Sequence, residues 1–167
     1  MYRDKPFRIR SITKLRAEIA WAKEAVPWTQ KVFLADGDAL VTKASLLAEV
    51  CDALNEAFPN LRRISIYASP QSLALRTVEE MSLLKEKGLT LCYLGIESGD
   101  DETLSKLQKG VDGDEMIRVA LKAHKAGMKL STMILLNAGG RKLSQQHALG
   151  SARVVNVIQP RFISTLV

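Results

Sequence analysis

Carboxylate, hydroxyl and small side chains are concentrated in four short segments of this sequence. Residues 36–38 read Asp-Gly-Asp, residues 69–71 Ser-Pro-Gln, residues 95–100 Gly-Ile-Glu-Ser-Gly-Asp, and residues 137–141 Asn-Ala-Gly-Gly-Arg. Carboxylates can hold an ammonium group or the diol of a ribose, and glycines let a ligand approach the backbone closely. Any one of these segments alone is more typical of a turn or a helix cap. All four at one edge of a fold would favour a ligand-binding site.

The elements that must position these segments alternate between short apolar runs and longer stretches with helical spacing. The pattern predicts strands over residues 31–36, 63–68, 91–95, 129–136 and 161–167. It predicts helices over residues 11–26, 42–58, 77–88, 100–107, 113–125 and 144–158. Successive strands start 32, 28, 38 and 32 residues apart, the length of one strand–helix–strand unit, so neighbouring strands should pair in parallel. The predicted fold class is therefore α/β with five parallel strands.

The polar segments follow the first four predicted strands. In parallel α/β folds, ligands bind beyond the carboxyl ends of the strands, which meet at one edge of the sheet. We therefore expect Asp36, Ser69, Glu97 and Asn137 to lie at the same edge. If they were scattered to opposite ends of the molecule, the site would not exist.

Motifs for several other chemistries are missing from the sequence. There is no GxxxxGK[ST] loop, no GxGxxG turn after a strand and no GxSxG elbow. His124 and His147 have no second ligand nearby in the sequence, which is more typical of surface or capping histidines than of metal ligands. Cys51 and Cys92 form no CxxC unit and are interpreted as buried, reduced thiols. The sequence therefore assigns no catalytic residue and no metal ligand.

The composition indicates one globular domain with an uneven charge. The chain has 167 residues, of which 47% are apolar and 25% charged, and its formal net charge is +6. Residues 1–31 contain eight basic and three acidic side chains, so they carry +5 of that charge. Such an arm can attract phosphate groups, although a solvated basic face is the commoner explanation. No run of 18 apolar residues and no secretory signal occur, so we expect no membrane segment and a cytoplasmic location.

Two of the polar segments, with the apolar residues before them, resemble motifs of radical S-adenosylmethionine (radical SAM) enzymes. Residues 33–38 (Phe-Leu-Ala-Asp-Gly-Asp) and 94–100 (Leu-Gly-Ile-Glu-Ser-Gly-Asp) are similar to the family's second and fourth strand motifs. Residues 107–110, the glycine-containing region 127–140 and residues 160–164 (Pro-Arg-Phe-Ile-Ser) continue the resemblance over essentially the whole chain. It is closest to the branch that includes tRNA-modifying enzymes and relatives of the oxygen-independent coproporphyrinogen oxidase.

The resemblance implies a partial (β/α)6 TIM-like barrel whose strands are all parallel. This sequence would hold strands two to six of that barrel. Residues 1–167 would then be a single truncated radical SAM core domain that lacks the first strand and the loop after it. The predicted helix over residues 11–26, which precedes the first predicted strand, agrees with that expectation.

The resemblance also implies two cofactors, S-adenosylmethionine and a [4Fe–4S] cluster. In the family a CxxxCxxC loop holds the cluster, and this sequence lacks that loop, while residues 1–7 resemble the segment after the third cysteine in relatives. Cys51 and Cys92 cannot replace the loop because neither their number nor their spacing suffices. The parent protein would be an oxidoreductase that cleaves S-adenosylmethionine reductively to a 5′-deoxyadenosyl radical, which abstracts a substrate hydrogen. This chain alone is expected to bind no cofactor and to be inactive.

The family roles carry over to individual positions of this sequence. Asp36, Gly37 and Asp38 would hold the amino group of the methionine moiety. Glu97 would reach the ribose or the amino group, with Ser69 alongside it, and Lys109 would pair with the carboxylate. The backbone between Ile134 and Asn137 would surround the adenine. The cofactor-binding residues implied are Asp36, Gly37, Asp38, Ser69, Glu97, Ser98, Lys109, Ile134 and Asn137.

Three questions about partners stay open at this stage. The substrate of the parent protein cannot be inferred from the sequence. The alternative function is that of a stand-alone α/β domain that binds a nucleotide or RNA through the basic arm, with Arg8, Arg10, Lys14 and Arg16 as its contacts. Without a strand before it, the strand at residues 31–36 would have an unpaired edge, so dimerisation through that edge or poor solubility is expected.

Overall fold

The computed structural model describes residues 8–167. Residues 1–7 lie outside the described residues, and with them Arg3, Lys5 and the resemblance of this segment to the one after the family's third cluster cysteine. The strands are β1 (Lys31–Leu34), β2 (Arg63–Ala68), β3 (Leu89–Glu97), β4 (Lys129–Leu135) and β5 (Phe162–Leu166). The α-helices are α1 (Ile12–Ala25), α2 (Ala44–Ala57), α3 (Pro70–Leu75), α4 (Val78–Glu86), α5 (Asp101–Lys106), α6 (Gly113–Lys125) and α7 (Gly140–Ile158), and a 3-10 helix spans Ala39–Val41.

The five strands form one parallel sheet in the order β1-β2-β3-β4-β5, which confirms the predicted fold class. Since each connection moves one strand further in the same direction and parallel crossovers are right-handed, the helices lie on one side of the sheet. Ile64, Ile66, Cys92, Leu94 and Leu130 occupy alternate strand positions and are fully buried in the core with residues of α2, α4, α6 and α7. The opposite face of the sheet is the inner face of a partial barrel.

Two helix starts match their sequence signals. The Ser11 hydroxyl accepts a hydrogen bond from the Lys14 backbone N–H at the start of α1, as expected of an N-cap. Thr77 and Glu80 form the reciprocal capping box at the start of α4. The first backbone N–H groups of a helix have no carbonyl partner within the helix, and these side chains bind them instead. The local sequence therefore determines where each of the two helices begins.

Several element boundaries differ from the prediction. Strand β1 ends at Leu34 rather than at residue 36, because Asp36 adopts a left-handed conformation with φ 70°. Strand β3 is longer than predicted at both ends, and α2 begins at Ala44, after the short 3-10 helix. Helix α3 was not predicted at all, although Ser69 caps it and Pro70 occupies its first turn.

The start of α7 was also predicted wrongly. The sequence prediction places it at Ser144, whereas the helix begins at Gly140. Leu143 is buried and its backbone N–H donates to the Gly139 carbonyl at 3.1 Å. The two glycines therefore belong to the beginning of the helix rather than to a loop before it.

No helix within residues 8–167 is long and apolar enough to cross a bilayer.

Strand β1 lies at one edge of the sheet and pairs with β2 alone among the described strands. Two cavities, of about 440 and 380 Å³, lie between β1, α1 and α2. Leu15, Leu34 and Val50 line both of them. The edge is therefore flanked by apolar space, and its outward backbone groups need another strand or water as partner.

Self-association through β1 stays a prediction. The dimer fraction should rise with protein concentration because two such edges can pair their backbone groups. Phe33→Lys places a charge on this edge strand and should lower the dimer fraction, whereas Leu121→Lys, on the exposed side of α6, should leave it unchanged. Sedimentation velocity over a concentration series measures this, and a monomer at every concentration would contradict the prediction.

Candidate functional site

The carboxyl ends of β1, β2, β3 and β4 lie at the same edge of the sheet because these strands are parallel neighbours. Asp36, Ser69, Glu97 and Asn137 stand at or just beyond those ends. The structure therefore brings the four polar segments to one edge, as the strand spacing predicts. We call residues 36–38, 69, 95–100, 109 and 134–140 at this edge the rim.

At the β1 and β2 part of the rim, Asp38 and Ser69 are in direct contact. The Ser69 hydroxyl donates a hydrogen bond to Asp38 Oδ2, and the same hydroxyl accepts from the Ser72 backbone N–H at 3.0 Å as the N-cap of α3. The other carboxylate oxygen, Asp38 Oδ1, is buried and has no hydrogen-bond partner among the described residues. A buried carboxylate oxygen without a donor is costly, so this atom is suited to accept a hydrogen bond from a cationic ligand.

The turn between β1 and Asp38 leaves the backbone accessible. Asp36 and Gly37 have φ values of 70° and 69°, and both residues are exposed. A Cβ atom at Gly37 would meet nothing within 4 Å, so the conformation and not the available space favours glycine there. A ligand can therefore approach the backbone of this turn.

Glu97 ends β3 in an unusual conformation. Its φ is 62°, and the Ser98 backbone N–H donates to the Ile96 carbonyl at 2.8 Å, which closes a three-residue turn centred on Glu97. Turns of this kind with a positive φ at the central residue are rare and strained. The sheet register shifts between Gly95 and Glu97 at the same point, so the bulge directs the Glu97 side chain over Gly95.

The Glu97 carboxylate is held by a lysine. Lys109 Nζ lies 3.3 Å from Glu97 Oε1, and the side chains of Lys109 and Glu97 are 19% and 26% exposed. The Lys109 backbone carbonyl accepts from Gln71 Nε2 at 2.7 Å, which ties its loop to α3. A Cβ atom at Gly95 would collide with Glu97 Oε1, so a larger residue there would displace the Glu97 side chain from its present position. In this structure Lys109 neutralises Glu97, and its role toward a ligand carboxylate stays a prediction.

Ser98 faces the protein interior. It is fully buried, and its hydroxyl lies 2.8 Å from His147 Nδ1 on α7 and accepts from the Asp100 backbone N–H at 3.1 Å. The interpretation of His147 as a surface or capping histidine is wrong, because this residue is only 7% exposed. His124 is half-buried, and its Nδ1 lies 3.2 Å from the carbonyl of Met128, which follows α6, so it connects the end of the helix to the segment before β4 rather than capping the helix.

Asn137 and Ile134 stand at the β4 part of the rim. Asn137 is exposed with φ 62°, and its carbonyl accepts from the Gly140 backbone N–H at 2.8 Å. Ile134 is half-buried near the end of β4. The turn packs tightly on α7, because a Cβ atom at Gly139 would lie 2.8 Å from the Leu143 carbonyl oxygen and 3.0 Å from His147 Cβ.

Three aromatic rings lie together on the inner face of the sheet, and sequence reasoning missed them. Phe33 meets Tyr67 and Tyr93 edge to face with ring centroids 4.6 and 5.1 Å away, and the two tyrosines are 6.2 Å apart. The sequence signal that could have found them is strand alternation. Phe33 and Tyr67 each stand between apolar residues that face the helices, as Val32 and Leu34 flank Phe33, so the rings must face the other side of the sheet. These rings give the face next to the rim an apolar, planar surface.

The residues present do not fit an iron–sulfur cluster. Among residues 8–167 no three His, Cys, Asp or Glu side chains are grouped so that they could hold a metal ion. The chain has two cysteines, and both are fully buried in the core, Cys51 on α2 and Cys92 on β3. Burial raises the pKa of each thiol to about 12, with the negative charge of Asp52 adding to the effect at Cys51 and that of Asp38 at Cys92.

In the described part of the basic segment, residues 8–31, two arginines form ion pairs with glutamates. Arg10 forms a two-pronged ion pair with Glu18, and Arg16 Nη1 lies 3.9 Å from Glu56 Oε2 on α2. Both pairs are exposed and add little stability. No feature of α1 favours RNA binding over an ordinary solvated surface.

A sequence comparison with protein families matches residues 2–139 of this chain to the radical SAM superfamily. A comparison with curated protein sequences gave no match. The family match spans most of the chain and includes the rim segments at residues 36–38, 69 and 95–100.

Solved structures share the fold. Coproporphyrinogen III oxidase from Escherichia coli, described as a radical SAM enzyme, superimposes with a TM-score of 0.73 at 14% identity, over 92% of this chain and 36% of its own. The protein anSMEcpe, solved with bound AdoMet, gives 0.73 at 13% identity, over 97% of this chain and 44% of its own. The FeFe-hydrogenase maturase HydG from Carboxydothermus hydrogenoformans gives 0.68 at 17% identity, over 96% and 38%. The present chain thus spans less than half of each.

The burial of Cys92 predicts a specific pH dependence of stability. The thiol ionises near its ordinary pKa of 9.0 in the unfolded chain but only at about 12 in the folded protein. The free energy of unfolding is therefore unaffected below pH 9.0 and falls as the pH rises from there toward about 12.

Urea unfolding at pH 8, 9, 10 and 11 tests this when wild type is compared with Cys92→Ala. The variant loses packing at every pH but lacks the titrating thiol. The difference between the two proteins should shrink by up to about 1.4 kcal/mol per pH unit above pH 9. Parallel pH profiles for the two proteins would show that the thiol ionises equally in both states.

Proposed function

Because the chain belongs to the radical SAM superfamily, we propose that its rim binds S-adenosylmethionine in a radical SAM enzyme. The whole protein's reaction belongs to this proposal, since the chain spans 36–44% of the solved chains to which it is similar. What supports the proposal within this chain is the chemistry of the rim.

The observation that carries the proposal is the carboxylate of Asp38. One of its oxygens is occupied by the Ser69 hydroxyl, and the other is buried without a donor among the described residues. The methionine moiety of S-adenosylmethionine carries an ammonium group, which has three N–H donors and a positive charge. Such a group satisfies the orphaned oxygen and compensates the carboxylate charge at the same time. The residues present therefore fit this ligand.

The other rim residues have roles that suit the rest of the ligand. We assign the exposed turn at Asp36 and Gly37 to backbone contacts with the methionine end. Glu97, already oriented by Lys109, is placed to accept from a ribose hydroxyl or from the amino group. The turn at Asn137, next to Ile134, offers backbone groups and an apolar side chain to the adenine. Ser98 contributes through the backbone, since its side chain is buried.

The cluster that the family implies cannot be held by this chain. Its only two cysteines are buried in the core with strongly raised pKa values. We propose that the cluster is bound by cysteines other than those of these 167 residues. S-adenosylmethionine, held by residues such as Asp38 and Glu97, would supply the adenosyl group for the radical chemistry of the family. We propose that this chain contributes binding and orientation, and that it does not catalyse the reaction by itself.

The aromatic surface of Phe33, Tyr67 and Tyr93 continues from the rim onto the inner face. Phe33 and Tyr67 are 39% and 43% exposed, so their rings are available for contact with an apolar or planar part of a substrate. The identity of that substrate is not part of the proposal.

The proposal predicts that Asp38→Asn weakens binding of S-adenosylmethionine. The amide keeps the shape of the side chain but loses the negative charge, so a charge-assisted hydrogen bond becomes a neutral one. The expected loss is about 10- to 100-fold in Kd. The buried Asp38 oxygen, unpartnered among the described residues, replaces the expectation that the chain alone binds no cofactor, because this contact to the ammonium group does not depend on a cluster. Isothermal titration calorimetry of this chain with millimolar S-adenosylmethionine measures the binding.

The matched control is Glu86→Gln, which removes a carboxylate charge from the exposed end of α4, away from the rim. It should bind like wild type. If wild type shows no binding in the millimolar range, or if Asp38→Asn binds as tightly as wild type, the proposed function is wrong.

A further inference from the structure

We propose that His147 is a positioning residue that fixes the conformation of Glu97 by clamping residues 97–100 to helix α7. The inference rests on the proposed function for the identity of the ligand, but the clamp itself is a property of this chain. His147 touches no proposed ligand atom. It acts through Ser98 and through the backbone on either side of it.

The first part of the clamp is the hydrogen bond between Ser98 and His147. The buried Ser98 oxygen accepts from the Asp100 backbone N–H at 3.1 Å, and its own hydrogen needs an acceptor. Among the described residues, His147 Nδ1 at 2.8 Å is the one hydrogen-bonding partner able to accept it. Ser98 therefore donates to Nδ1, which requires a neutral imidazole with its proton on Nε2.

The second part of the clamp is one turn of α7 packed against Gly99. The Gly99 backbone N–H donates to the Ser151 hydroxyl at 3.1 Å. A Cβ atom at Gly99 would collide with the Gly150 carbonyl, and one at Gly150 would lie 2.6 Å from the Gly99 carbonyl oxygen. His147, Gly150 and Ser151 are spaced three and four residues apart and thus lie on one face of the helix. The loop and the helix backbone are in direct contact there.

The clamp acts on Glu97 because that residue is strained. A glutamate at φ 62° in a three-residue turn persists only when its surroundings determine the backbone on both sides. Strand β3 fixes the residues before it, and the contacts of Ser98 and Gly99 with α7 fix those after it. Without the His147 contact, the backbone can relax to an extended conformation, which would move the carboxylate away from Lys109.

His147 also supports the neighbouring part of the rim. The turn at residues 137–140 lies against it, since a Cβ atom at Gly139 would be 3.0 Å from His147 Cβ. The same residue therefore stands between the β3 and β4 parts of the rim. A change at this position should affect both sides of the bound nucleoside at once.

The test compares four variants with wild type. His147→Ala removes the acceptor, and Ser98→Ala removes the donor without opening a large cavity. His147→Asn is the rescue variant, because its side-chain carbonyl can take the place of Nδ1 as acceptor. Ile158→Ala is the matched control, since it removes a buried side chain from the far end of α7 and does not touch the rim.

Three measurements are made on each protein. Amide hydrogen exchange of residues 98–100 reports on the clamp, and isothermal titration calorimetry reports S-adenosylmethionine affinity. Imidazole nitrogen NMR shifts report the tautomer of His147. We expect at least tenfold faster exchange and at least tenfold weaker binding in His147→Ala and Ser98→Ala, most of it recovered in His147→Asn. Ile158→Ala should lower the stability without either change, and the wild-type spectrum should show the proton on Nε2.

The outcomes separate this inference from the proposed function. Unchanged exchange at residues 98–100 in both alanine variants, no rescue by asparagine, or a proton on Nδ1 would overturn the clamp. If wild type binds S-adenosylmethionine and His147→Ala binds it equally well, the positioning role is wrong while the proposed function stands. If exchange responds as expected but wild type binds no S-adenosylmethionine, the clamp stands and the proposed function is wrong. Should His147→Ala not fold, Ser98→Ala decides.

Discussion

The directional constraint of a parallel sheet underlies every other feature of this protein. Each strand must be followed by a crossover that returns the chain to the starting edge, so every strand ends at the same edge. Polar residues placed after consecutive strands are therefore gathered without any long-range recognition between them. The core on the helix side holds that arrangement, because Ile66, Leu94 and Leu130 from neighbouring strands are fully buried there. The rim is a consequence of chain direction, and its chemistry is free to vary.

The rim concentrates backbone strain as well as charge. Asp36, Glu97 and Asn137 all have positive φ values, although none is a glycine. Asp and Asn adopt this conformation at modest cost, whereas Glu does so less readily. The glutamate is supported by Lys109, by the bulge at Gly95 and by the contacts of the next two residues with α7. These contacts compensate for the conformation that glutamate adopts least readily.

The sequence was sufficient to predict the sheet but not the rim geometry. Apolar runs gave all five strands, and their spacing gave the parallel order, because both depend on local patterns that the fold preserves. The predicted boundaries were wrong where the apolar pattern does not reveal the backbone conformation. At Asp36, for example, a left-handed residue ends β1 early. The role of His147 could not be predicted, because its partner Ser98 lies 49 residues away in the chain. Helix α3 could have been found from Ser69 and Pro70, which form a recognisable helix start.

The aromatic residues are distributed in a way that makes the two sides of the molecule optically distinct. Tyr67 and Tyr93, two of the three tyrosines, belong to the ring cluster on the inner face, whereas the two tryptophans, Trp21 and Trp28, are 73% and 71% exposed on and just after α1. Light at the red edge of the near ultraviolet excites tryptophan and not tyrosine, so tryptophan fluorescence reports on α1 and the segment after it rather than on the inner face of the sheet. The protein thus carries its own fluorescent label at the periphery of the fold, and no dye is needed to follow an event there.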